Sequence, residues 1–394
     1  MAARRTPCAA FLFLQISTTL WMSSAFTRNL SVELNPGSSA PPPGGDLVHV
    51  RAVGDNDTLH ILFCSLGAPT LLLVRTAVTS SAVSVDWPRF LSRNTSGSLR
   101  VEPASSIVSS AALVFSRLLE YDDVNNTAEA PFDLFPPYQL QDVAWSRAEL
   151  SGAAARLCGA VARGSVCLQM SVFAGEGRDQ SWPRLLHTAN SSQVVVRLDS
   201  LTARSQRSRF LLELQTLGGT HPLDAVQVRR SIDDEFTPSI FKVSEWTSRP
   251  NRSSDDTGAF VLWKQVSYRR SPPALEDASP CRHSDPRRRS GRALAEVSGL
   301  VRAFFADEDQ GERAFGLNVS FGLAGEPFYN ATKFLSWTAL VGVGLPPTDA
   351  FSPLVAAIVA VGLGAPLVIL LMGGVYVYLR KMSPGSASGY EPIN

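Results

Sequence analysis

LVHVRAVGDNDTLHILFCSLGAPTLLLVRTAV, residues 47–78, decides the fold. It holds three short apolar runs, LVHVRAV (47–53), TLHILF (58–63) and TLLLVRTAV (70–78), separated by GDND and CSLGAP. Runs of this length, rich in valine, leucine and isoleucine and bounded by Gly, Pro, Asn and Ser, read as strands. The pattern continues in ALVFSRLL (112–119), VCLQMSVF (166–173), QVVVRL (193–198), FLLELQTL (210–217), AFVLWKQVSY (259–268), LVRAFF (300–305), NVSFGL (318–323) and KFLSWTALVGVG (333–344). About a dozen strands at this spacing predict a mostly β domain, sandwich-like, of one or two packed sheets.

Two stretches interrupt that pattern. SGAAARLCGAVARG (151–164) is small and Gly-rich and reads as a linker or short helix. The charged, proline-laden segment 269–292 reads as a flexible loop. Its RRRSGR resembles a nuclear signal, but the ends of the chain exclude that reading and make it a basic loop open to proteases.

Those ends carry two membrane signals. Residues 1–25 have Arg4 and Arg5, an apolar run from Cys8 to Met22, and small residues Ser23 and Ala25. This is the pattern of a cleavable signal peptide, with a mature chain starting near Phe26. Ala350 to Leu379 contains no charged residue, enough for a transmembrane helix over 351–379. Arg380 and Lys381 follow, which places the tail, 380–394, in the cytosol and residues 26–350 in a lumen. Within the span Ala356, Ala360 and Gly364 recur every four residues, spacing that lets a partner helix approach closely.

Asparagine usage supports the lumen. Sequons Asn-x-Ser/Thr occur at Asn29, Asn56, Asn94, Asn125, Asn190, Asn251, Asn318 and Asn330, eight of the eleven asparagines. All lie between the two membrane signals, where N-glycosylation takes place. Four cysteines, Cys64, Cys158, Cys167 and Cys281, remain after the signal peptide. They allow three complete pairings. Cys158 and Cys167 could close a small loop, and Cys64, within a strand, could be a free thiol.

Chemistry-bearing patterns are sparse. Net charge is +1, so no long-range field points to nucleic acid. No Gly-x-Ser-x-Gly turn or phosphate loop occurs, and the histidines at 49, 60, 187, 221 and 283 lack metal-ligand spacing. No cofactor is expected. The acidic cluster Asp233, Asp234 and Glu235 could serve a hydrolase or hold calcium, but reads better as a helix start behind Ser231. The tail ends SGYEPIN, in which Tyr390 and Ile393 form the Tyr-x-x-hydrophobic signal that clathrin adaptor subunits bind in extended form, suited to lysosomal sorting.

Across about 28–394 the chain resembles the glycosylated lysosomal membrane protein family. The resemblance is carried by RNLSVELNPG (28–37), VHVRAVGDNDTLH (48–60), SLGAP (65–69), ALVFSRLLEYD (112–122), PPYQL (136–140), RLLH (184–187), SIDDEFTP (231–238), VRAFF (301–305), LSWTALVGVGLPP (335–347) and the terminal Tyr-x-x-Ile-Asn. It implies a non-enzymatic, single-pass lysosomal membrane protein. Its partner would be a multi-spanning major-facilitator transporter of dipeptides, which it would shield from proteolysis. The chain departs from the family in its cysteines: Cys281 has a counterpart, whereas positions near Ser192, Leu223 and Ala314 carry cysteine in the family and not here. The family's disulfides therefore do not transfer. Two other readings compete, a membrane-tethered luminal hydrolase using the 233–235 acids and a cell-surface adhesion domain.

Overall fold

A computed structural model describes residues 26–92, 95–218, 222–230, 242–248, 258–305, 313–348 and 353–382. Among the described residues nineteen strands are joined in one hydrogen-bonded network, and it divides into two antiparallel layers. The first runs, in spatial order, Asn29–Leu34, Leu47–Val53, Thr58–Cys64, Thr70–Thr76, Ile107–Asp122, Ser208–Gly218 and Ala314–Phe321. The second runs Glu149–Ser151, Ala154–Val161, Gly164–Val172, Ser191–Asp199, Phe334–Val343, Ala259–Lys264, Lys242–Thr247 and Ala225–Arg230. One strand belongs to both. Ala278–His283 pairs on one side with Val266–Tyr268, itself on the second layer, and on the other side with Ala314–Phe321 of the first.

Between the layers lies a shared core. Val50, Ile61, Phe115 and Leu214 enter it from the first layer, and Leu168, Val196, Trp263 and Trp337 from the second. Trp263 and Trp337 meet edge to face with centroids 6.1 Å apart, a geometry aromatic pairs favour. The outer face of the first layer is covered as well. Leu62, Cys64, Leu72 and Val114 pack there against α1 (Trp87–Phe90), α2 (Gly291–Val297) and α3 (Gly299–Phe305). Thr58–Cys64 is consequently buried at every position, which is why it reads as a continuous apolar run rather than an alternating one.

Three sequence expectations are corrected. SGAAARLCGAVARG is neither linker nor helix but most of the hairpin Ala154–Val161/Gly164–Val172, turned by Ala162 and Arg163 at φ 47° and 62°. Alternation is present, with Ala155, Leu157, Gly159 and Val161 facing inward, but two of the four are too small to register as apolar. Segment 269–292 is ordered and contains the bridging strand Ala278–His283. Its charges have partners far along the chain: Arg269 pairs with Glu326 at 2.9 Å and Arg289 with Glu213 at 3.1 Å. LVRAFF forms the helix α3. Ser298 caps it, accepting from the Val301 N–H, and also meets Thr70 Oγ1 at 2.6 Å.

The four cysteines among the described residues resolve into one pair and two singles. Cys158 and Cys167 stand directly opposite across the hairpin and form a disulfide, while Cys64 and Cys281 are buried thiols. Beyond the last strand Gly344, at φ 86°, turns the chain, and Arg229 Nη2 holds the Pro347 carbonyl at 3.0 Å. α4, Pro353–Met382, then follows, and its Val361–Lys381 portion is long and apolar enough to be a candidate membrane span.

The bridging strand is the element to test. Cys281 donates its N–H to Gln265 O at 3.2 Å, so Cys281→Pro deletes a bond between the layers. The full-length variant is expected to lose its protease-resistant fold, whereas Cys281→Ala costs only about 1 kcal/mol; limited proteolysis beside thermal melting reads the contrast.

Candidate functional site

Six of the eight sequon asparagines fall among the described residues; Asn94 and Asn251 lie outside them. Asn29 opens the first strand and is exposed, as is Asn56 in the turn between Leu47–Val53 and Thr58–Cys64. Pairing of Asn29 with Val53 brings these two to one end of the sandwich. Asn190 joins them, because its carbonyl receives the Val343 N–H and its side-chain Oδ1 accepts from Arg28 Nε and Nη2 at 2.9 and 2.8 Å. Asn56 and Asn190 line an open hollow of about 580 Å³ together with Phe26, Arg28 and Arg75.

Arg28 organises that end. Its fully buried guanidinium forms a two-pronged pair with Asp57, at 2.7 Å on each prong, and Arg75 Nε adds a third contact to Asp57 at 2.8 Å. Burial pushes the Asp57 carboxyl up, but the hydrogen bonds and charges of the two arginines outweigh it and hold the group below the usual carboxylate range. Two-pronged pairing is what a planar guanidinium supplies and an ammonium cannot.

Asn125 and Asn330 occupy the opposite end. Asp123 pins the sequon loop Asn125–Thr127 by accepting the N–H groups of Thr127 and Ala128, both at 2.9 Å. Asp123 is paired in turn with Arg209 at 2.7 Å, each side chain 2 % exposed. Arg209 also reaches Asn126 Oδ1 at 2.7 Å. Asn125 itself stays exposed. Asn330 is half-buried in the turn Tyr329–Ala331, with Nδ2 donating to Ser205 O at 3.0 Å and to Gln206 Oε1 at 3.3 Å. Asn318 sits within Ala314–Phe321, and its Oδ1 is buried without a hydrogen-bond partner.

The sequence-derived helix positions are also placed. Ala356, Ala360 and Gly364 all have helical backbone within α4, and four-residue spacing lines them along one stripe. Large apolar side chains of α4, such as Leu363 and Leu370, are exposed on the β domain's account. Tyr390, Ile393 and the acids Asp233, Asp234 and Glu235 lie outside the described residues. Among the described residues no cluster of three or more His, Cys, Asp or Glu is arranged to hold a metal ion.

One titratable feature escaped the sequence reading. His49 and His60 stack in the first layer, 5 % and 0 % exposed, with His49 Nε2 and His60 Nδ1 3.0 Å apart. His60 Nε2 continues to Ser81 Oγ at 2.9 Å, and Ser81 Oγ to Thr76 Oγ1 at 2.7 Å. One N–H bridges the rings; protonating both would set two donors face to face. Burial, with nearby Arg51, lowers His49 to about 4, and burial, with His49 and Arg51, lowers His60 to about 3. Hairpin register across GDND was the available signal, since His60 pairs with Arg51 and so lies diagonal to His49.

Comparison with known proteins identifies the family. Residues 46–384 match the family model described as glycosylated lysosomal membrane protein. A protein of that name from Danio rerio is 50% identical over 392 residues, covering 95% of this chain and 94% of its own length. Relatives of the same name from Mus musculus and Homo sapiens are each 37% identical, covering 99% and 93% of this chain and 96% and 91% of theirs.

The histidine pair generates a pH dependence. An unfolded histidine takes its proton near 6.5, while the native pair resists it down to about 4. Between those values the unfolded chain binds more protons, so stability falls as pH falls. The melting temperature of the full-length protein should therefore decline from pH 6.5 to about 5, above the range where carboxylates titrate. His60→Gln should flatten that decline.

Proposed function

The chain belongs to the glycosylated lysosomal membrane protein family, and on that premise we propose that it is a non-catalytic accessory subunit. α4 anchors it in the lysosomal membrane with the β domain in the lumen and residues 383–394 in the cytosol. Glycans on the exposed sequons Asn29, Asn56 and Asn125, and on Asn190, form a coat that resists luminal proteases. The partner is a multi-spanning transporter of the major-facilitator type, with dipeptides as its cargo, which the glycosylated domain shields and stabilises. Tyr390 and Ile393 direct the protein to lysosomes through clathrin adaptors.

The observation that carries this reading is the isolation of α4. Among the described residues its candidate span, Val361–Lys381, has none buried against the β domain, and the sequence of α4 places Ala356, Ala360 and Gly364 at four-residue spacing. In lipid, close approach of backbones over such positions is what drives helices to associate. Sequons at both ends of the sandwich add the second support, since glycans there would cover the domain lengthwise.

Affinity purification of the full-length protein from lysosomes in mild detergent tests the reading. A multi-spanning transporter is expected to co-purify near one-to-one, and to be lost when 353–379 is replaced by polyleucine. Recovery of no transporter would overturn the subunit role. Tyr390→Ala should move the protein from lysosomes to the cell surface, scored by surface biotinylation.

A further inference from the structure

The sequons differ in which amide atom the fold already uses. N-glycosylation forms a bond between Asn Nδ2 and the anomeric carbon of a lipid-linked oligosaccharide diphosphate; the lipid diphosphate leaves, and one Nδ2 hydrogen departs as a proton. Nδ2 then keeps a single N–H. At Asn190 the fold engages only Oδ1, through Arg28, so Nδ2 is left for the sugar. At Asn330 it engages Nδ2 itself, which donates to Ser205 O and Gln206 Oε1.

The surroundings of Asn330 hold that amide in place. Its neighbour Tyr329 is 7 % exposed and packs edge to face on Phe210, centroids 4.8 Å apart. Tyr329 OH donates to Lys333 O at 2.8 Å and receives the Leu201 N–H at 3.2 Å. Lys333 O in turn receives the Ser200 N–H at 2.7 Å. The turn bearing Asn330 and the loop 200–208 are thus fastened at three points, of which the Asn330 amide is one. A sugar on Nδ2 would replace one of its two hydrogen bonds.

We propose that Asn330 is a structural asparagine, unmodified in the mature protein despite its complete sequon, whereas Asn29, Asn56, Asn125 and Asn190 carry glycans. This rests on the reading of the sequons as glycan acceptors.

Site mapping of the purified full-length protein decides the matter. Amidase release of glycans in H₂¹⁸O converts each occupied asparagine to labelled aspartate, read by mass spectrometry of its peptide. The Asn29, Asn56, Asn125 and Asn190 peptides are expected labelled, and the Asn330 peptide predominantly unlabelled. Equal labelling at Asn330 overturns the inference while leaving the glycan coat intact; absence of label everywhere overturns the coat, and the contrast with it. As an independent readout, Asn330→Asp should leave electrophoretic mobility unchanged yet lower the melting temperature. A mobility gain of one glycan, matching that of Asn56→Asp, would refute the assignment.

Discussion

A single strand whose two edges serve different sheets holds the β domain together. A buried backbone must find partners for every N–H and C=O, and Ala278–His283 finds them in both layers. It thereby fixes how the layers face each other, and with that the depth of the shared core around Trp263 and Trp337. The ion pairs of Arg269 and Arg289 lie in the segments flanking it. Sequence neighbours alone would suggest a solvated loop here; the fold instead makes the segment a seam.

Charge is managed by enclosure. Arg28 with Asp57, Arg209 with Asp123, and Arg117 with Glu213 are all multiply bonded and at least partly buried. Removing one partner of such a group leaves a buried charge uncompensated, typically at a cost of about 3–5 kcal/mol. The thiols follow the same logic. Burial pushes Cys64 up to about 12 and raises Cys281 as well, so neither presents the thiolate that oxidation or exchange requires.

Legibility in the sequence tracked how local each signal was. Leu47–Val53, Thr58–Cys64 and Thr70–Thr76 were readable because valine and leucine fill each strand and Gly, Pro or Asn separates them. The hairpin across Ala162 and Arg163 was not, since alanine and glycine mask its alternation and neither turn residue advertises a positive φ. α3 is not recognisable as a helix in the sequence because a short apolar run has no period of its own. At the candidate site, the sequons were visible as a pattern, but their chemistry depends on partners such as Ser205 and Arg28, which lie 125 and 162 residues away.

The hold of Arg229 on Pro347 has a mechanical meaning. From that carbonyl to the first residue of α4 the chain has six peptide steps, a contour of about 20 Å when fully extended. With α4 seated in a bilayer, the β domain is on a short leash, confined to a small volume above its own helix. Any neighbour gripped by α4 then meets the domain at an effective concentration in the range of about millimolar. Surface contacts too weak to form between free molecules would persist under that confinement, so the helix and the domain can share a binding task that neither could perform alone.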